Sequence, residues 1–213
     1  MEISLNNIIP SFLEKEKTDN SDVWKKIVVF KEGNKTEIIA PSGSGKTSLI
    51  HFLYGLRKDY SGELLYNNEN IKNITASELA DLRAMQLSIV FQDLRLFKDF
   101  SVLQNLEIKR TLAPYHSTSL INEMADKLGI TNKLSQKART CSYGEQQRIA
   151  IIRALQQPFN FIILDEPFSH LDEENSKKAL ALIEQEADKR GAGIILADLQ
   201  HNPFYKADST LHL

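Results

Sequence analysis

Residues 40–48 read Ala-Pro-Ser-Gly-Ser-Gly-Lys-Thr-Ser, and this stretch decides the fold. A short run, Glu37-Ile38-Ile39, leads into it, and an apolar helical pattern, Leu49-Ile50-His51-Phe52-Leu53, follows. Strand, glycine-containing loop, helix is the order a phosphate-binding loop requires. Gly43 and Gly45 carry no Cβ, so backbone N–H groups can wrap closely around an anion. A helix starting near Lys46 adds unpaired N–H groups and the positive end of its dipole. Lys46 can reach the terminal phosphates of a nucleotide, and the Thr47 hydroxyl can ligate Mg²⁺. Pro41, Ser42, Ser44 and Ser48 complete the loop. Ala40 stands where the strict pattern has glycine, a mild departure because alanine is small.

Outward from the loop, composition sets limits. A chain of 213 residues supports one sizeable core, with or without a small subdomain. Its net charge of −2 gives no reason to expect a nucleic-acid partner. The single cysteine, Cys141, cannot form an internal disulfide, which suits a reducing compartment. No apolar run approaches the ~20 residues that span a bilayer, and the first residues lack the pattern of a signal peptide.

The pattern along the chain predicts strands at 2–5 and 27–30, forming an antiparallel layer on either side of a polar loop over Glu14–Asp22. Strands are also expected at 36–40, 61–66, 86–91, 161–164, 193–197 and 208–213, and helices at 46–56, 77–85 and 172–190. From Val102 to Pro158 the periodicity is helical, so a helical subdomain over roughly 93–158 is expected, inserted between two core strands. Phe161-Ile162-Ile163-Leu164 is a continuous apolar run, the mark of a central parallel strand. The fold class is therefore α/β, with ligand at the carboxyl ends of the parallel strands.

Two further stretches carry chemistry. Ile162-Ile163-Leu164-Asp165-Glu166-Pro167 ends a buried strand in two carboxylates at the nucleotide edge of the sheet. Asp165 can hold Mg²⁺, directly or through water, and Glu166 can polarise an attacking water as general base. Ser142-Tyr143-Gly144-Glu145-Gln146-Gln147-Arg148 opens a helix. Ser142 with Glu145 has the spacing of a capping box. Ser142, Gly144 and the helix N-terminus also suit a second anion site, and the order of the motifs along the chain favours that reading.

Taken together, the chain resembles the nucleotide-binding subunit of an ATP-binding-cassette (ABC) transporter over essentially its whole length. In that resemblance 40–47 matches the Walker A loop and 162–165 the Walker B strand. Glu166 matches the catalytic glutamate and Gln92, in Val90-Phe91-Gln92-Asp93, the Q-loop glutamine, a further Mg²⁺ ligand beside Thr47 and Asp165. Ser142-Tyr143-Gly144-Glu145-Gln146 is similar to the family signature, and Ser169-His170-Leu171-Asp172 to the D-loop. The resemblance implies one ATPase domain over 1–213 that takes ATP and Mg²⁺. It implies a second ATPase subunit, identical to the first, and transmembrane subunits that hold the protein at the cytoplasmic face of the membrane. Ser142, Gly144 and Gln146 would act on the partner protomer's ATP. An aromatic residue before the loop would stack on adenine: Phe12, or failing that Trp24.

Several positions depart from the family pattern. Tyr143 replaces a signature glycine and would crowd the neighbouring nucleotide or stack across an interface. Cys141 stands in place of the usual leucine, as a small apolar contact. Asp198 occupies the place of the family's switch histidine, where a carboxylate is repelled by a γ-phosphate, so hydrolysis is expected to be slow. His201, if the loop bends, and His170 are alternative sources of an imidazole. Residues 83–103 are similar to the lipoprotein-releasing and cell-division ATPases of bacteria, which implies that Leu94, Leu96 and Phe97 line a groove for a partner's coupling helix. The simpler reading makes these residues subdomain core. Two other functions stay open. One is an ATP-gated interaction module with little turnover. The other is a soluble ABC ATPase of DNA repair or translation, against which the absence of basic arms and long insertions counts.

Overall fold

The computed structural model describes residues 1–13 and 18–213. The polar loop expected over Glu14–Asp22 falls in part on residues 14–17, outside the described residues. Strand β1 (Glu2–Pro10) pairs antiparallel with β2 (Ile27–Lys31) on one side and β4 (Tyr60–Tyr66) on the other, and β5 (Glu69–Asn70) extends this sheet. The antiparallel layer is as expected, but β1 runs well past Leu5. The pairing is interrupted after Asn6 by a bulge in which Asn7 takes φ 52°, and it resumes at Ile9.

The second sheet is wholly parallel, in the order β6 (Leu87–Val90), β7 (Phe161–Asp165), β8 (Gly193–Asp198), β3 (Lys35–Ile39), β9 (Ser209–His212). Every residue of β6 and β7 is buried, which explains why these strands read as unbroken apolar runs. Helix α1 (Lys46–Leu53) follows β3, and α2 (Ala76–Met85) precedes β6. Three helices lie between β6 and β7: α3 (Val102–Leu112), α4 (Thr118–Lys127) and α5 (Tyr143–Leu155). The last helix, α6 (Glu173–Arg190), starts at an Asp172 cap and stops at Gly191, as the pattern predicts.

Two apolar clusters hold the molecule together. One gathers β1, β2, β4 and α1 around Trp24, Phe30 and Phe52, reaching the sheet face at Ile38, Ile163 and Ile195. The other packs α3, α4, α5 and α6 on the opposite face at Ile162, Leu164 and Ile194. A buried polar knot ties the α3–α4 connection to α6. Glu186 accepts from His116 Nε2 at 2.9 Å and from Arg190 and Lys189 at 2.7 Å each, while the Arg190 guanidinium lies 4.0 Å from the Tyr115 ring centroid.

The residues expected to line a coupling groove are divided. Leu94 is core and Leu96, partly buried, packs against the helical cluster, because the chain around them folds back onto α5 through Arg153. Phe97 alone is well exposed, stacked on Phe100 at 5.4 Å.

Candidate active site

The parallel strands present their carboxyl ends to one cleft of about 440 Å³, lined by residues of the glycine loop together with Phe12, Leu13, Gln92, Glu166 and Leu199. The loop is held from behind. Trp24 is fully buried, and its indole N–H donates to the Ser44 carbonyl at 3.2 Å. Gly45 has φ +100°, and a Cβ there would meet Leu13 at 2.7 Å and the Trp24 ring at 3.1 Å. Trp24 therefore buttresses the loop and has no free face for a base, which corrects its candidacy as an adenine platform. Phe12 is half exposed at the cleft, with the Arg57 guanidinium 4.7 Å from its ring centroid. Arg57 also donates to the Ser48 hydroxyl at 3.0 Å, linking platform and loop.

At the far end of the cleft the Lys46 ammonium meets both carboxylates of β7. It pairs with Glu166 and lies 3.5 Å from Asp165 Oδ1. Burial lowers the Lys46 pKa against the pull of Asp165 and Asp198. Burial likewise raises the Asp165 carboxyl, and Lys46 opposes that rise. Glu166 sits just beyond β7 with φ 47°, an uncommon conformation for a side-chain-bearing residue. Three contacts hold it there: its N–H donates to Ala197 O at 2.9 Å, and its carbonyl accepts from Gln147 at 3.0 Å and from Ser169 Oγ at 3.2 Å.

Thr47, Gln92 and Asp165 line a small recess beside the main cleft. Asp165 Oδ1 is buried and accepts no hydrogen bond. A hydroxyl, an amide oxygen and a carboxylate oxygen whose near partner is the Lys46 ammonium at 3.5 Å fit Mg²⁺, which takes few protein ligands and keeps water and phosphate oxygens.

The signature stretch folds as the alternative reading had it. Ser142 caps α5 in a full capping box, accepting from Glu145 N at 3.3 Å while Glu145 accepts from Ser142 N at 2.7 Å. Its hydroxyl is thus engaged within its own helix. Gln146 likewise donates to Cys141 O at 2.8 Å. Cys141 is a buried apolar contact, as expected. Gly144 faces the loop after β7, where a Cβ would come within 2.8 Å of the His170 carbonyl. Tyr143 makes its contacts within the chain. Its ring meets His170 edge-on at 4.2 Å, and its hydroxyl donates to the Gln92 carbonyl at 3.3 Å. Cys141, Ser142, Tyr143, Gly144 and Gln146 do not line the main cleft of this chain.

The two alternative imidazoles are also elsewhere. His170 meets Tyr143 edge-on, and His201 Nδ1 lies 2.7 Å from Glu37 Oε2. Asp198 stands at the end of β8, with Oδ1 accepting from Leu199 N at 2.7 Å. Burial raises its carboxyl, while that backbone bond and Lys46 oppose the rise.

Sequence reasoning missed Gln147, Arg57, Leu199 and Glu37. Gln147 had a legible signal. It lies four residues before Ile151, on the buried face of α5, and so had to find partners inside.

A glycine loop and helix closing a parallel strand, on a sheet whose next-but-one strand ends in two carboxylates, define a P-loop nucleotide-binding fold. The family model described as ABC transporter matches residues 28–169, and the chain belongs to that family. A lipoprotein-releasing system ATP-binding protein, LolD, of Buchnera aphidicola subsp. Schizaphis graminum is 35% identical over 180 residues, covering 83% of this chain and 78% of that protein. A LolD of Francisella tularensis subsp. tularensis is 32% identical over 198 residues, covering 91% of this chain and 85% of that protein. Among solved structures, the dimeric bacterial ABC transporter cassette MJ0796 superposes with a TM-score of 0.77 at 24% identity, over 93% of this chain and 88% of that one.

Proposed function

We propose that this chain is the ATP-hydrolysing subunit of a membrane ABC transporter, of the kind its lipoprotein-releasing relatives are named for. It works as one ATPase domain over 1–213 with the helical unit 93–158 set into it. The observation that carries the reading is the convergence of Lys46, Glu166 and Gln92 on a cleft floored by the glycine loop, with Asp165 beside Lys46 in the adjoining recess.

In this reading Phe12 stacks on adenine, with Arg57 behind it. The N–H groups of the loop between Pro41 and Thr47 bind phosphate oxygens. Lys46 leaves its carboxylate partners for the terminal phosphates. Thr47 and Asp165, with Gln92, would hold Mg²⁺, which would supply charge neutralisation on the phosphates. Glu166, released from Lys46, accepts a proton from the attacking water. Ser142, Gly144 and Gln146 complete the site of a second, identical subunit. Two ATP molecules then close a dimer, and hydrolysis reopens it to drive transmembrane subunits at the cytoplasmic face. Nucleic acid has no part in the cycle.

The test compares the chain with Glu166→Gln, by ATPase assay and by sizing in Mg-ATP. Turnover in the parent, and a trapped dimer without turnover in Glu166→Gln, are expected. The Asp198 carboxylate beside Lys46 favours one other reading, an ATP-gated module. A parent that itself forms a lasting ATP dimer with negligible turnover would establish that reading in place of the first.

A further inference from the structure

The middle of β3 carries a residue that neither the apolar pattern of a central parallel strand nor the nucleotide site calls for. Glu37 lies opposite Leu196 of β8 and Thr210 of β9, and its side chain is completely buried. A carboxylate in that place is tolerated only if its oxygens are satisfied. Both are, and both by one segment. Oε1 accepts from the Asn202 N–H at 2.7 Å, and Oε2 lies 2.7 Å from His201 Nδ1. Asn202 in turn orders the turn beyond it: its side chain accepts from Phe204 N at 2.9 Å and its carbonyl from Tyr205 N at 3.1 Å.

That segment begins at the chemical end of the cleft. Leu199 lines the cleft, and Asp198 just before it ends β8. The end of β8 also supports both halves of the site. Ala40 N, at the start of the glycine loop, donates to Asp198 O at 2.9 Å, and Glu166 N donates to Ala197 O at 2.9 Å.

We propose that Glu37 and His201 form a clamp that positions residues 198–202 against the cleft for turnover. They are positioning residues, because neither lines the cleft. The inference rests on the ATPase reading for its kinetic part only. The clamp sets where Asp198 and Leu199 stand relative to Lys46 and Glu166, so its loss shows in the chemical step and leaves ATP binding by the glycine loop in place.

The experiment pairs steady-state kinetics with amide hydrogen exchange on Glu37→Ala, Glu37→Gln and His201→Ala. The His201 side chain is 62% exposed, so its truncation leaves the core packed and guards against a Glu37 variant that fails to fold. In both alanine variants, segment 199–205 is expected to exchange faster while β7 and α6 keep their protection. The expected kcat falls about tenfold, with KM for ATP within about twofold of the parent. Glu37→Gln keeps an acceptor for Asn202 and restores most of the rate. A loosened segment with unchanged kcat overturns the proposal, as does loss of protection throughout the chain in His201→Ala. A parent without turnover sinks the ATPase reading alone. The exchange arm then decides the clamp, and unchanged protection in both alanine variants overturns it.

Discussion

The Lys46 ammonium and the Glu166 carboxylate meet as a buried ion pair, although one belongs to the phosphate loop and the other to the end of a strand far along the chain. Lys46 also lies 3.5 Å from Asp165 Oδ1, so one cation faces two carboxylates. Removing the cation strands two buried carboxylates. Lys46→Ala should therefore abolish ATP binding and also lower the stability of the nucleotide-free protein, by about 3–5 kcal/mol. Equilibrium denaturation beside an ATP-binding titration checks both. Glu166→Gln keeps the shape and a hydrogen-bond acceptor. It should bind ATP as the parent does and lose about 10²–10⁴ in kcat.

Asp198 gives a stability signature with a definite sign. Its folded pKa lies above the ordinary carboxylate value because of burial. The folded protein therefore binds the proton more readily than the unfolded chain, and the residue's contribution to stability falls as pH rises through that window. Asp198→Asn should raise Tm at pH 7, and the advantage should shrink as pH drops toward about 4. Thermal melts across pH read it directly. Asp198→His, which puts a hydrogen-bond donor beside the phosphate end, should raise kcat. Equal turnover in Asp198→His and the parent would show that this position does not limit the reaction.

The wall behind the glycine loop is intolerant of added atoms. Gly45→Ala combines a left-handed backbone with contacts to Leu13 and Trp24, and should eliminate ATP binding. Trp24→Phe keeps most of the packing but loses the N–H donated to Ser44 O. A cost of about 1–2 kcal/mol is expected, with weaker ATP affinity by isothermal titration.

At the head of α5, the His170 carbonyl leaves no room for a side chain on Gly144. Gly144→Ala should displace the loop after β7 and cost about 1–3 kcal/mol, because the obstructing atom is backbone and cannot swing aside. Tyr143→Phe removes only the hydroxyl that donates to Gln92 O and should cost no more than about 1 kcal/mol. Chemical denaturation of the two variants separates these effects.

Glu186 joins the α3–α4 connection to α6. Burial pushes its carboxyl up, but hydrogen bonds from His116, Lys189 and Arg190 prevail and hold it below the usual range. Its stabilisation is thus present above the ordinary carboxylate pKa and is lost as pH falls through the folded value. Glu186→Ala, which leaves Arg190 buried without its carboxylate, should cost about 3–5 kcal/mol at pH 7. A pH-stability profile flatter at its acid end than that of the parent is the accompanying sign.

The sequence by itself determined what local chemistry dictates. Residues 37–48 specify the end of a strand, a turn that suits glycine and a helix start. The apolar run before Asp165 specifies a buried parallel strand, and Asp172 and Gly191 specify the two ends of α6. These follow from the periods of helix and strand and from the conformations open to glycine, so the α/β class and the elements of the site were legible. Tertiary structure decided which polar groups meet. Trp24 became a buttress, because folding placed its ring under Gly45. His201 turned to Glu37, while Asp198 stayed by Lys46. Each outcome depends on which distant strand or loop lies within about 3 Å of a hydrogen-bonding atom. Spacing along a chain does not encode that distance, and only the packed sheet fixes it.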